Sequence, residues 1–291
     1  MKVIIPTKGR SDTIRTHLLF KNYMKNVYIL VHTDEEWNEY RRNESIDRRR
    51  LIVSGVPADA YGLTRQREWA VTNIVDEDEW FVFADDNIRE LHAVPEPWYS
   101  EDVLPLPKSY SREWRLRYWT PCPADEFIDV ICEGMAERAE AEGIKLCGFP
   151  ACDNWFFRAI HWKYCCYIIG KMTVQKNTDL VYNHNISMED FAQTARRLVR
   201  DGRVLMNNYA RMHSGHYEKG GMGLYEERIA VRKKDCIKLM EMYPGLFRYK
   251  KLKGFVPGTD LALKVTEKTV DAWRQTMRKP VTLDVERTPA K

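Results

Sequence analysis

The stretch Trp80-Phe81-Val82-Phe83-Ala84-Asp85-Asp86-Asn87 constrains this chain more than any other. Four large or β-branched residues run unbroken, and three short oxygen-bearing side chains follow at once. A continuous apolar run of this length reads as a strand covered on both faces, the kind buried inside α/β sheets. Two carboxylates and an amide at its carboxyl end then fall on the rim where open α/β sheets bind ligands. Oxygen donors suit hard cations such as Mg²⁺ or Mn²⁺, and a bound cation offsets the repulsion between adjacent carboxylates. The competing reading is a plain polar turn, since Asp-Asp-Asn is also good turn chemistry.

Around that strand the first ninety residues alternate strand and helix. Residues 2–6 read as a first strand, 26–32 as a second and 50–53 as a third. Between them Ser11 can cap a helix running to about residue 19, and a polar helix fills roughly 35–48. A further helix opens near Gly62, with Thr64 as a cap. Such alternation implies a mainly parallel, Rossmann-like central sheet with helices on both faces. Parallel strands share a carboxyl edge, so the polar clusters at 7–10, 33–36 and 85–87 converge on one crevice. Their content suits a nucleoside diphosphate held through a cation. Thr7, Lys8, Arg10, Arg65 and Arg67 can meet phosphate oxygens, and Asp34 can accept from a base or ribose. Each of these is also an ordinary surface residue. Neither a Gly-x-Gly-x-x-Gly fingerprint nor a Gly-x-x-x-x-Gly-Lys-Ser/Thr loop occurs, which argues against an ordinary dinucleotide dehydrogenase or P-loop NTPase.

Residues 92–123 change character. Six prolines break regular structure, with Trp98, Trp114 and Trp119 standing among Arg112, Arg115 and Arg117. Aromatics beside arginines can stack a base or sugar while meeting phosphate, or can simply pin a loop to the body. Residues 124–142 read as an amphipathic helix with Phe127, Ile128, Val130, Ile131, Met135 and Ala139 inward. A strand follows at 145–149, and Met172–Gln175 reads as a hairpin partner for the aromatic segment before it. Ser187 and Asp190 match a capping box at the start of a helix, a full structural reason for both. A carboxylate pair there, Glu189 and Asp190, is equally placed to act as a general base. His213 and His216 follow the next strand and suit either a metal shell or the surface. The glycines at 220–223 suggest a lid, and 225–243 a helix before a basic, fraying tail.

With 44% hydrophobic and 30% charged residues over 291 positions, the chain reads as soluble and globular, in one large domain or two small ones. No apolar run reaches the roughly 18 residues of a membrane span, and the amino terminus enters a strand directly, so a cytoplasmic location is expected. Seven cysteines without a Cys-x-x-Cys pair point to reduced core thiols. Cys147, Cys152, His161, Cys165 and Cys166 assemble into a zinc site only on paper. The net charge of +4 is modest, but the basic residues are bunched, as at 48–50, 196–197 and 232–234. Such bunches either face a polyanion or cover solvated helix faces.

In this order the residues resemble a GT-A-fold glycosyltransferase. Val3-Ile-Ile-Pro-Thr-Lys-Gly-Arg10 is similar to that fold's first nucleotide-binding strand, Phe83-Ala-Asp-Asp-Asn87 to its Asp-x-Asp motif, and Met188-Glu-Asp190 with a later histidine to its catalytic end. The nearest likeness is to the TET-associated glycosyltransferase group, found largely in phage genomes. That resemblance implies a sugar nucleotide donor, most readily a UDP-sugar, and Mn²⁺ or Mg²⁺. It implies DNA with a hydroxymethylated pyrimidine such as 5-hydroxymethylcytosine as acceptor, in the cytoplasm of the infected host. It places Asp85 on the donor, Asn87 or Asp86 with His213 or His216 on the cation, and Asp190 or Glu189 as base. Trp98, Trp114, Trp119, Arg115 and Arg117 would hold the acceptor. The implied organisation is a nucleotide-sugar half at 1–91, an acceptor-side insertion at 92–123, a catalytic half at 124–224 and a helical C-terminal extension from 225. The rivals are a glycan- or protein-modifying transferase of the same fold, a nucleotidyltransferase and a non-catalytic DNA-binding module.

Overall fold

The computed structural model describes residues 1–57, 62–94, 120–150, 161–180, 182–215, 225–250 and 256–277. Strand β4 (Trp80–Ala84) lies in the middle of the main sheet. From Phe81 through Ala84 no side chain reaches solvent, as its unbroken apolar run requires. Its two faces enter two different cores. Phe81 and Phe83 meet edge-to-face at 5.0 Å and pack with Ile4, Leu30, Ala70 and Val71 under helix α3 (Leu63–Asn73). Val82 and Ala84 look the other way, toward Phe127, Ile131 and Met135 of the helix over 124–141.

The neighbours on one side are β1 (Lys2–Pro6), β2 (Val27–Val31) and β3 (Leu51–Val53), all parallel, in the order β3-β2-β1-β4. On the other side the expected parallel pattern stops. Strand β9 (Met172–Lys176) pairs antiparallel with β4 and with β7 (Leu146–Gly148). It therefore fills a central place in the sheet and is not a hairpin partner for the segment before it. Beyond β7 come β10 (Leu205–Asn207), parallel to it, and the antiparallel β8 (Trp162–Lys163). The sheet is thus mixed. Because β9 runs backwards, its amino end lies beside the carboxyl end of β4, with Ala84 opposite Met172.

The chain leaves β4 through the turn at 85–87 into β5 (Ile88–Ala93), which forms a separate small sheet with β6 (Thr120–Pro121) and β11 (Ala210–Ser214). Several local expectations shift. Ser11 caps nothing: the first helix, α1 (Thr16–Leu19), starts after Arg15 with no side-chain cap. The polar helix expected at roughly 35–48 is only α2 (Asp34–Tyr40), capped by Thr33, and the arginines at 48–50 form a 3₁₀ turn. Helix α3 begins after Gly62, leaving Thr64 buried inside it. The helix over 124–141, α4, contains a π-helical stretch at Phe127–Cys132. That wider turn rotates the phase and leaves Val130, expected inside, 54% exposed.

A second core joins helix α5 (Glu189–Arg200) to the carboxyl-terminal part, comprising α6 (Tyr225–Met242), the hairpin of β12 (Phe247–Tyr249) and β13 (Leu261–Leu263), and α7 (Val270–Met277). This extension is helical, as expected, but with a two-stranded ribbon inside it. Arg197 is no solvated charge. It is buried, donates to the Thr178 carbonyl at 2.8 Å and lies 3.4 Å from Asp201. Replacing Phe81 with Ala is expected to cost about 3–5 kcal/mol, since an aromatic is lost from a closed core. Urea unfolding of the two proteins measures it.

Candidate active site

Two sets of ion pairs flank the end of β4, Arg10 with Asp86 and Arg67 with Asp85 and Glu189, and the second lines the site. The turn after β1 is tight: Gly9 takes φ +60°, a left-handed conformation that suits glycine. It brings Arg10 onto Asp86, and Thr7 Oγ1 donates to Asp86 Oδ2 at 2.7 Å. Tyr40 braces the same turn, accepting from the Arg10 backbone N–H at 2.8 Å. Two backbone N–H groups, of Arg15 and Thr16, reach the Asp86 carbonyl, and Thr16 Oγ1 accepts from the Ile88 N–H at 2.8 Å. Asp86 is buried, and its carboxylate is engaged by these protein groups. Its place is that of a structural turn acid.

Asp85 faces the other way. Its N–H donates to the Lys171 carbonyl at 2.7 Å, which ties the end of β4 to the start of β9. The carboxylate lies 3.5 Å from Arg67 Nη2. Arg67 Nη1 donates to Glu189 Oε2 at 3.0 Å, and Nη2 donates to the Gly170 carbonyl at 3.1 Å. Arg67 and Glu189 are both buried, and the guanidinium carbon lies 5.2 Å from the Phe83 ring centre. Burial pushes the Asp85 carboxyl up to about 7; Arg67 opposes this, and Asp86 and Asp190 reinforce it. Burial also raises Glu189, again against the pull of Arg67.

Asp190 comes next along the helix. Its Oδ2 accepts from the Tyr167 hydroxyl and from the Gly170 N–H at 3.3 Å. Tyr167 in turn stacks on Phe191, with ring centres 3.9 Å apart. The expected capping box does not form. Helix α5 starts after Met188 with no side-chain cap, and Ser187 instead bonds Asp235 of α6, its N–H donating at 2.7 Å. Asp190 is thereby released from a capping role.

These groups share a cavity of about 1150 Å³, at the upper end of what small-molecule sites occupy. Asp85, Glu189 and Asp190 line its floor beside Arg67, Tyr167 and Lys171. Another wall comes from the extension, where Arg232 and Lys250 both approach Asp260, at 3.5 and 3.2 Å. Asp85 keeps 36% of its side-chain surface open and is a lining residue.

Of the residues singled out from sequence, the structure brings Asp85, Glu189 and Asp190 into one hollow and joins Arg10 to it through Asp86. Lys8 follows β1, Asp34 opens α2 beyond β2, and Arg65 is exposed on α3. All three are outside the cavity lining. Arg67, expected on a phosphate, is instead committed to carboxylates. Of the suggested cation ligands, Asp86, Asn87 and His213 are described. Asp86 is occupied as described, and the Asn87 amide nitrogen donates to the Gly215 carbonyl at 2.7 Å. His213 is exposed on β11, opposite Glu90 in the small sheet. Among the described residues no group of three His, Cys, Asp or Glu side chains is placed to hold a metal ion. This donor set does not fit a cation as a ready-made shell. His216, Trp98, Trp114, Trp119, Arg115 and Arg117 lie outside the described residues, as do the glycines at 220–223. The lining also includes Tyr167, Lys171 and Arg232, for which the sequence carries one signal, the basic run at 232–234.

Residues 1–115 match the model of the TET-Associated Glycosyltransferase family, the group that the sequence resembles. No curated protein matches the chain. The matched part carries Arg10, Arg67 and Asp85, whereas Asp190 and the basic wall lie beyond it. Because the folded Asp85 and Glu189 hold protons more tightly than the unfolded chain, their contribution to stability is greatest at low pH. For Asp85 it declines as pH rises from about 4 through the folded value near 7. Asp85→Asn is expected to flatten that decline and to make the protein more stable than wild type at pH 8. Urea midpoints between pH 5 and 8 test this, and an unchanged slope would contradict it.

Proposed function

We propose that this chain moves a sugar from a nucleoside-diphosphate sugar, a UDP-sugar first, to a hydroxyl acceptor. The acceptor class we favour is a hydroxymethylated pyrimidine in DNA, 5-hydroxymethylcytosine above all. The observation that carries the reading is that Asp85 and Asp190 line one cavity, at the sheet edge where the family match lies. The family name supports the class of reaction.

In this reading the donor's nucleotide lies along the ends of β1 and β2, near Lys8, Asp34 and Arg65, and its sugar reaches over Asp85. The acceptor enters the larger cavity. Asp190 takes the acceptor proton while the hydroxyl oxygen attacks the anomeric carbon. The bond to the diphosphate breaks, and its electrons leave with the phosphate oxygen. One displacement at one base inverts the anomeric centre. Lys171, whose carbonyl accepts from the Asp85 N–H, lines the cavity with a cation that can oppose charge on the leaving group. Glu189 is the weaker base candidate, since Arg67 consumes its carboxylate. Mn²⁺ or Mg²⁺ belongs to the proposal only as a companion of the donor diphosphate, supplying positive charge there, and no step is derived through it. A base in duplex DNA must leave the stack to be modified, and the 92–123 insertion with its tryptophans is the candidate to hold it. Among the described residues no helix is long and apolar enough to cross a membrane.

Incubation with a panel of sugar nucleotides and Mn²⁺, offering 5-hydroxymethylcytosine DNA or oligosaccharides, is expected to yield a glycosylated nucleoside by mass spectrometry. EDTA in parallel reports on the cation. Asp190→Asn is expected to lower kcat by about 10²–10⁴-fold with an unchanged melting temperature, the usual worth of a general base. Product on oligosaccharide alone would move the acceptor class. Full activity in Asp190→Asn would remove the assigned base.

A further inference from the structure

We infer that Arg67 is a positioning residue that fixes the donor-side Asp85 and the acceptor-side Asp190 relative to each other, with Glu189 as its counter-charge. The inference rests on the transferase reading above and deepens it.

The geometry is a closed ring. Arg67 Nη1 holds Glu189 at 3.0 Å, and Glu189 is the chain neighbour of Asp190. Arg67 Nη2 holds the Gly170 carbonyl at 3.1 Å, while the N–H of that same residue reaches back to Asp190 Oδ2 at 3.3 Å. The guanidinium also stands 3.5 Å from Asp85 Oδ1. One planar group thus touches the donor-side acid directly and the proposed base through two short routes. A lysine presents a single ammonium and cannot span these directions together. Gly170 leaves no slack: a Cβ there would sit 3.3 Å from the Asp190 Cβ and 3.4 Å from Arg67 Nη1. The Phe83 ring beneath fixes the plane of the fork.

A buried ion pair by itself adds little net stability, and exchange of both partners for neutral groups of similar size is often tolerated. This separates holding the fold from holding the geometry. The experiment compares Arg67→Lys, Glu189→Gln, Asp190→Asn and the double variant Arg67→Gln/Glu189→Gln with wild type. It reads melting temperature, donor KM, kcat for transfer and the ratio of transfer to donor hydrolysis.

A misplacement of about 1 Å costs on the order of 10²-fold, so transfer by Arg67→Lys and by the double variant is expected to fall by about that factor. Donor KM should change much less than kcat, because Arg67 reaches the donor only through Asp85. Hydrolysis of the donor by water should persist, so the transfer-to-hydrolysis ratio drops. Glu189→Gln, which still offers an acceptor to Arg67, should lose much less than Asp190→Asn. Wild-type transfer in Arg67→Lys or the double variant overturns the inference. So does Glu189→Gln as inactive as Asp190→Asn, or activity losses that merely follow the melting temperatures. A wild type that transfers no sugar to any acceptor overturns the transferase reading, and this inference with it.

Discussion

The site depends on one buried guanidinium shared between two carboxylates from distant parts of the chain. Arg67 comes from helix α3, Asp85 from the end of β4 and Glu189 from the start of helix α5. Removing three charges from bulk water is costly, and only mutual pairing with good geometry offsets it. The offset is incomplete here. Asp85, Glu189 and Asp190 bring three carboxylates to the cavity, with Arg67 and Lys171 beside them, while Asp86 is engaged by Arg10. Burial displaces the carboxyls of Asp85 and Glu189 upward, Arg67 opposes it, and the neighbouring acids add to it.

That charged floor exists because the sheet delivers its parts to one edge. β1 and β4 are parallel, so Arg10 and Asp86 emerge side by side. β9 is antiparallel to β4, so the start of β9 lies at that edge as well. Gly170 and Lys171 therefore meet Asp85, although more than eighty residues separate them in sequence. A purely parallel sheet would have placed the beginning of β9 at the far end. The reversal of one strand is what lets Gly170 bridge Arg67 and Asp190.

The readable parts of this arrangement are those in which one segment determines its own environment. The run Phe81–Ala84 demanded burial on both faces, and any strand there had to be central. Polar clusters after the strands at 2–6 and 80–84 had to share an edge once those strands were parallel. Other features depended on partners that local sequence does not contain. Ser187 and Asp190 have the spacing of a capping box, yet Asp235, 48 residues beyond Ser187, captures the serine instead. Arg67 looked like a phosphate ligand because nothing in its own helix discloses Glu189, 122 residues away. Val130 was assigned inward on a regular helical period, and a π turn changed the period. The reversed β9 was invisible for the same reason, since pairing direction is decided by the strands on either side.

The carboxyl-terminal extension has a place in this reasoning beyond its own fold. Asp235 of α6 takes Ser187, and Phe247 of β12 packs against Phe191 at 5.9 Å. The extension therefore holds helix α5 from behind, at the turn that carries Glu189 and Asp190. It also forms the basic wall of the cavity, where Asp260 keeps Arg232 and Lys250 together although like charges repel. The amino-terminal residues that match the transferase family supply Arg67 and Asp85, and the remainder of the chain supplies Glu189, Asp190 and the basic residues of the lining. Asp85 and Asp190 thus reach one cavity from different halves of the sequence, and Arg67 is the group that spans them.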